Sequence, residues 1–159
     1  MNIIMLGKPG SGKGTVGKML SESLNITHIS SGELFRSYIK KAGEIGKEID
    51  KYVSQGKLVP DDLAIKLVEK RLQEIDCKNG VILDGFPRTI KQAKELDEFF
   101  KQKGCKIDIA VELRLSDQDI IDRMYLRVDS LSVALWLNYF IALALFICLW
   151  RKGEKRWDY

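Results

Sequence analysis

The sequence predicts an α/β fold of three layers around a parallel sheet, and three observations predict it. Short apolar runs at 2–6, 26–29, 81–84 and 107–115 alternate with longer amphipathic stretches of helical period. The runs at 2–6 and 81–84 are apolar at nearly every position, the pattern of strands buried on both faces. Both then break into glycine-containing loops that carry charged residues, and in parallel sheets chemistry gathers at that C-terminal strand edge. Strands so connected are joined by right-handed crossovers.

The first strand, from Asn2 to Leu6, passes into Gly7-Lys8-Pro9-Gly10-Ser11-Gly12-Lys13-Gly14-Thr15. Glycines allow consecutive N–H groups to turn inward around an anion. The helix that follows adds a partial positive charge at its N-terminus, and Lys13 adds a full one. The spacing fits G-x-x-x-x-G-K, a phosphate cradle, although Gly14 stands where the stricter pattern has Ser or Thr and the hydroxyl arrives at Thr15. The plainer alternative is a glycine-rich turn with a surface lysine.

Val16, Met19, Leu20 and Leu24 then recur at helical spacing, and Asn25 can close that helix. Ile26 to Ile29 forms a short strand whose His28 reads as structural. Ser30-Ser31-Gly32-Glu33 ends it and starts a helix carrying Leu34, Phe35, Arg36, Tyr38 and Ile39, with a serine as N-cap. Gly43 and Gly46 punctuate two short helical pieces, the second over 45–55, which suggests a small subdomain able to pivot. After Pro60, Asp61 or Asp62 starts a helix with Leu63, Leu67, Val68, Leu72 and Ile75 on its buried face. Asn79-Gly80 turns the chain into the strand Val81-Ile82-Leu83-Asp84. A helix from Thr89 to Lys103 should turn Ala93, Leu96, Phe99 and Phe100 inward; a strand over 107–115 and a helix over 117–128 follow.

At 159 residues, 45% hydrophobic and 30% charged, the chain has the size of one domain with a real core. Its net charge of +4 is spread among interleaved acids and bases, so no polybasic tract argues for nucleic acid. Cys77, Cys105 and Cys148 are far apart with no C-x-x-C pair, which excludes a disulfide framework or a zinc site as the organising principle and fits a reducing cytoplasm. The chain opens directly on a strand, without the basic-then-apolar pattern of a signal peptide.

Three motifs in order, Gly7-x-Pro9-Gly10-x-Gly12-Lys13-Gly14-Thr15, Ser31-Gly32 with Arg36, and Asp84-Gly85-Phe86-Pro87-Arg88-Thr89, resemble those of adenylate kinase over residues 1 to about 128. The resemblance implies a P-loop NTPase fold and reversible phosphoryl transfer from MgATP to AMP, giving two ADP. Gly10, Ser11, Gly12, Lys13, Gly14 and Thr15 would hold the ATP phosphates, joined by Arg123 and Arg127, one turn apart. Lys13, Arg88 and Arg123 would carry the catalytic charge, because phosphoryl transfer asks for positioning and neutralisation rather than a general base.

Asp84 would hold the waters of a Mg²⁺ ion; its plainer reading is a helix N-cap. Arg36 and Arg88 would clamp the AMP phosphate. Ser31, Lys57, Leu58, Val59, Gly85, Phe86 and Pro87 would complete the AMP site, with residues 30–59 as a lid over it. Gln92, one turn beyond Arg88, can both donate to and accept from the adenine edge, which favours AMP over a pyrimidine monophosphate. The expected partners are ATP and AMP with no nucleic acid, and the chain is expected to be a cytoplasmic monomer. A UMP/CMP-type kinase and an inactive, membrane-tethered nucleotide-binding protein are the alternatives.

Beyond residue 128 the resemblance ends, so the fold is read as truncated and followed by a non-family tail over 129–159. Its segment 131–150 is apolar all round, a helix without a polar face. The length suffices to span a bilayer, and its Leu, Ile, Phe and Val contribute about −3 to −7 kcal/mol towards insertion. Topology opposes this: the basic cluster 151–156 favours a cytoplasmic C-terminus, while an ATP-using domain before the span must also be cytoplasmic. A shifted reading frame, a membrane tether and a soluble replacement helix are the three readings of the tail. In each, a sheet lacking its last strand keeps an open edge.

Overall fold

A computed structural model describes residues 1–123 and Tyr125. The chain divides into one unit of Met1–Arg114 and a second beginning at Leu115. The first is built on four parallel strands, β1 (Asn2–Gly7), β2 (Thr27–Ser30), β3 (Val81–Asp84) and β4 (Ile109–Leu113), in the order β2-β3-β1-β4. Five α-helices connect or extend them: α1 (Lys13–Leu24), α2 (Ser31–Lys40), α3 (Glu44–Val53), α4 (Asp61–Leu72) and α5 (Ile90–Gln102).

Alternation along each strand explains the layers. Ile4, Ile29, Val81 and Leu83 pack on one face with Leu67 and Val68 of α4 and Leu96 and Phe100 of α5. Ile3, Met5 and Ile82 face the other way, against Val16 and Leu20 of α1. Because both faces are covered, β1 and β3 need apolar residues at every central position, which is why their sequences show no polar alternation. Register aligns Met5 with Asp84, so the two loops expected to carry chemistry leave neighbouring strands side by side.

Several inward faces differ from expectation. Met19 and Leu24 of α1 are exposed, since the sheet meets that helix along Val16, Gly17 and Leu20. Ile75 is 80% exposed, because α4 ends at Leu72 and a 3₁₀ turn over Ile75–Cys77 buries Cys77 in its place. On α5, Ala93 is exposed and Gln92 is buried, with Leu96 and Phe100 below it as foreseen. Gly46 does not punctuate: it lies inside α3, where the helix crosses the backbone of α2. The strand foreseen over 107–115 is shorter, and β4 has β1 on one side only among the described residues, with Ile109 44% exposed on that edge.

Ile49 of α3 is fully buried in the same core cluster as Leu83, so α2 and α3 share the sheet's core and do not form a separate one. In the second unit, residues 117–123 are helical, started by Ser116, whose hydroxyl accepts from the Asp119 N–H. No helix among the described residues is long and apolar enough to cross a membrane. The apolar helix expected over 131–150 lies outside the described residues.

Candidate active site

The loop after β1 needs glycine at Gly10 and Gly12, whose φ angles of 85° and 93° are left-handed. The Ser11 N–H donates to the Lys8 carbonyl at 3.2 Å and closes the turn. Lys13 folds back across it, donating from Nζ to the carbonyls of Gly7 and Lys8, both at 2.8 Å. An ammonium has three donors, so one remains for a ligand.

Of the five α-helices in the first unit, α1 has neither a capping side chain nor an acid in its first turn. The others have one or both: Ser30 and Glu33 on α2, Glu44 on α3, Asp61 and Asp62 on α4, Thr89 on α5. The leading N–H groups of α1 are thus left for an anion, with Lys13 beside them. Ser11 is 1% exposed, its N–H engaged on Lys8 and its hydroxyl turned under Gly7. Thr15 is exposed on the first turn.

Gly14 faces the tip of β3. A Cβ there would stand in ordinary contact with Oδ2 of Asp84, 3.5 Å away, so the loop and the tip of β3 adjoin. On its other side the same Oδ2 lies 3.8 Å from Nε2 of His28, a nitrogen that makes no hydrogen bond among the described residues. The His28 ring packs beneath Gly17, where any Cβ would approach it to 2.7 Å, and its side chain is 8% exposed.

Beyond Asp84 opens a cavity of about 230 Å³. It brings together Ser31 and Arg36 of α2, Lys57, Leu58 and Val59 of the segment before α4, and Gly85, Phe86, Arg88 and Gln92 after β3. Pro87, joined to Phe86 by a cis peptide bond, does not line it. The Ser31 hydroxyl donates to the Gly85 carbonyl at 2.8 Å, and Arg88 Nε donates to the same oxygen at 2.7 Å. That carbonyl fixes the Arg88 guanidinium over Gly85, while the Arg36 guanidinium folds over Gly32. Neither guanidinium meets a carboxylate among the described residues. Two such cations at one cavity are able to hold an anion, because a planar guanidinium left unpaired can take two oxygens of one ligand.

A sequence model of the adenylate kinase family matches residues 5–144. The chain belongs to the adenylate kinase family. It is 51% identical to an adenylate kinase of Clostridium tetani over 124 residues, 78% of this chain and 57% of that protein. An adenylate kinase of Agathobacter rectalis is likewise 51% identical over 124 residues, 58% of its length. One from Corynebacterium urealyticum is 46% identical over 127 residues, 70% of its length. The chain therefore spans under three fifths of the first two relatives.

Two further arginines were expected at the site of this adenylate kinase fold. Arg123 lies on the helical residues of the second unit, and Arg127 lies outside the described residues. Sequence reasoning missed Phe35, Val53 and Ala64 in the cavity wall, apolar residues that carry no signal of a ligand. It also missed Asp61 as a partner of the site. Asp61 Oδ1 accepts from Gln92 Nε2 at 2.7 Å and Oδ2 accepts from Thr89 Oγ1 at 2.9 Å, a link between α4 and α5 that no local pattern signals.

Proposed function

We propose that the chain acts as an adenylate kinase, transferring a phosphoryl group reversibly from MgATP to AMP to give two ADP. The observation that carries this reading is the position of Asp84. Its carboxylate borders Gly14 of the loop, and its chain neighbour Gly85 lines the arginine cavity, so two anion sites adjoin at one acid. A donor triphosphate on the loop and an acceptor monophosphate in the cavity would meet there.

The residues divide the work by charge. Gly10, Gly12 and the first N–H groups of α1 would cradle the β- and γ-phosphates, and Lys13 would follow the charge as it moves. Arg36 and Arg88 would hold the AMP phosphate so that one of its oxygens faces the γ-phosphorus in line with the departing ADP oxygen. Ser31 supports Arg88 through the shared Gly85 carbonyl rather than by offering a free hydroxyl. Lys57, Leu58 and Val59 would close the base side, and residues 30–59 would act as the monophosphate lid. Arg123 and Arg127 would complete the grip on ATP.

The acid at the junction also fits magnesium. Asp84 is a single carboxylate, and no group of three His, Cys, Asp or Glu side chains forms a cage among the described residues. That suits an ion held mainly by phosphates and water, with one protein carboxylate behind the water. Bound with ATP, magnesium would neutralise charge on the phosphate oxygens. The cytoplasm, where ATP and AMP are supplied, is the compartment this reaction needs.

A coupled assay of the full chain with MgATP and AMP, beside CMP and UMP, tests the proposal. ADP formation that favours AMP and is abolished in Lys13→Ala is the expected result. Well-folded protein that makes no ADP, or that prefers UMP or CMP, overturns it.

A further inference from the structure

Gln92 sits in the wall of the cavity, 3% exposed, and its amide is gripped by two partners that cannot exchange roles. The Arg88 backbone N–H donates to Oε1 at 2.7 Å, and Nε2 donates to Asp61 Oδ1 at 2.7 Å. A backbone N–H offers no acceptor and a carboxylate offers no donor, so chemistry alone settles which way the amide faces. Thr89 closes the ring. Its hydroxyl donates to Asp61 Oδ2 at 2.9 Å and accepts the Gln92 N–H at 3.2 Å. An aspartate opening a helix ordinarily serves that helix's own N-terminus. Here both of its oxygens are engaged on α5 instead.

We propose that Asp61 sets the base preference of the monophosphate site, by fixing the direction in which the Gln92 amide meets the nucleobase. The inference rests on the reading of the cavity as the AMP site. After its two protein bonds the amide retains one N–H and one oxygen lone pair. Adenine presents an exocyclic N–H donor beside a ring-nitrogen acceptor; hypoxanthine and guanine present a carbonyl beside a ring N–H, the reverse order. A free glutamine would satisfy either by turning over. Held by Asp61 and Arg88 it satisfies only adenine, because turning would set its oxygen against the carboxylate and its NH₂ against the Arg88 N–H. The mismatched base would then leave buried polar groups unpaired, the condition under which a site discriminates most strongly.

Calorimetric titration of the full chain with AMP and with IMP tests this without depending on turnover. The parent should bind AMP at least ~100-fold more tightly than IMP, and Asp61→Asn or Asp61→Ser should lower that ratio by about tenfold or more. A purely structural role would weaken both nucleotides together and leave the ratio unchanged. Asp61→Ser keeps a helix-starting hydroxyl and carries the comparison if circular dichroism shows that Asp61→Asn does not fold. A parent-like ratio in a folded variant, or equal binding of AMP and IMP by the parent, overturns the inference alone. Failure of the parent to bind AMP overturns the reading of the cavity itself.

Discussion

Gly46 of α3 lies directly against Tyr38 of α2: a Cβ at Gly46 would stand 2.3 Å from the Tyr38 carbonyl oxygen and 3.0 Å from its carbon. The obstacle is backbone, so it cannot swing aside as a side chain could. Gly46→Ala should gain at most about 1 kcal/mol of helix propensity and lose more from forced separation of the two helices. The expected net loss is about 1–3 kcal/mol, with Tm falling by roughly 2–4 °C per kcal/mol. Urea unfolding followed by circular dichroism measures it, with an unchanged m-value showing that only stability moved.

The Arg36 and Arg88 guanidiniums both border the cavity without a carboxylate partner, so their role should be confined to ligands carrying an anion. Arg36→Ala and Arg88→Ala should each weaken AMP binding by about 10- to 100-fold, the value of a charge-assisted hydrogen bond. Adenosine, which lacks the phosphate, should bind all three proteins alike. Fluorescence or calorimetric titration with both ligands separates lost anion contacts from a damaged cavity.

Arg71 reaches from the last turn of α4 to Asp76, donating from Nη1 and Nη2 at 2.8 and 2.6 Å. These bonds hold the Asp76 carboxyl below its ordinary value of 3.8. A lowered folded value means stability that is present above the unfolded pKa and lost as pH falls through the folded one. Asp76 is about half exposed, so solvent screening limits the contribution to about 1 kcal/mol or less. Asp76→Asn should be less stable than the parent near neutral pH, and the gap should narrow as pH falls below the ordinary carboxyl value of 3.8. Urea midpoints across that range provide the check.

Cys77 stands beside the same guanidinium, with Arg71 Nη1 3.1 Å from its sulfur, yet burial dominates and pushes its thiol up to about 11. The nucleophilic thiolate is therefore scarce at neutral pH, whereas Cys105 is exposed. Iodoacetamide at about pH 8 should alkylate Cys105 at least ~10-fold faster than Cys77 in the native protein. Urea should bring the two rates together. Peptide mass spectrometry over time reads both sites in one sample.

Much of the site was visible one residue at a time. The phosphate loop, Asp84, and the pair Arg36 and Arg88 stood out because each belongs to a short motif whose spacing encodes its own geometry. Helix starts were equally local: Ser30 and Thr89 each accept an N–H three residues on. Residues whose role depends on what arrives from elsewhere were not legible. Gln92 suggested adenine by its chemistry, but its grip on Asp61 spans 31 residues of sequence. The Ser11 hydroxyl turned under Gly7, and Gly46 looked like a break and proved to be a contact point.

By itself the sequence determined the alternation of strands and helices, the two-sided burial of β1 and β3, and the types of chemistry at their ends. Those follow from side-chain period, glycine's angles and the charge of particular residues, all properties of short stretches. Only the tertiary structure decided that Met5 and Asp84 are neighbours across the sheet, which sets the loop beside the arginine cavity. It alone turned Ala93 and Ile75 outward, buried Gln92, and tied Asp61 to α5. The physical reason is that a helix can present neighbouring residues inward at little difference in local energy, and the contact is chosen by packing between elements distant in sequence.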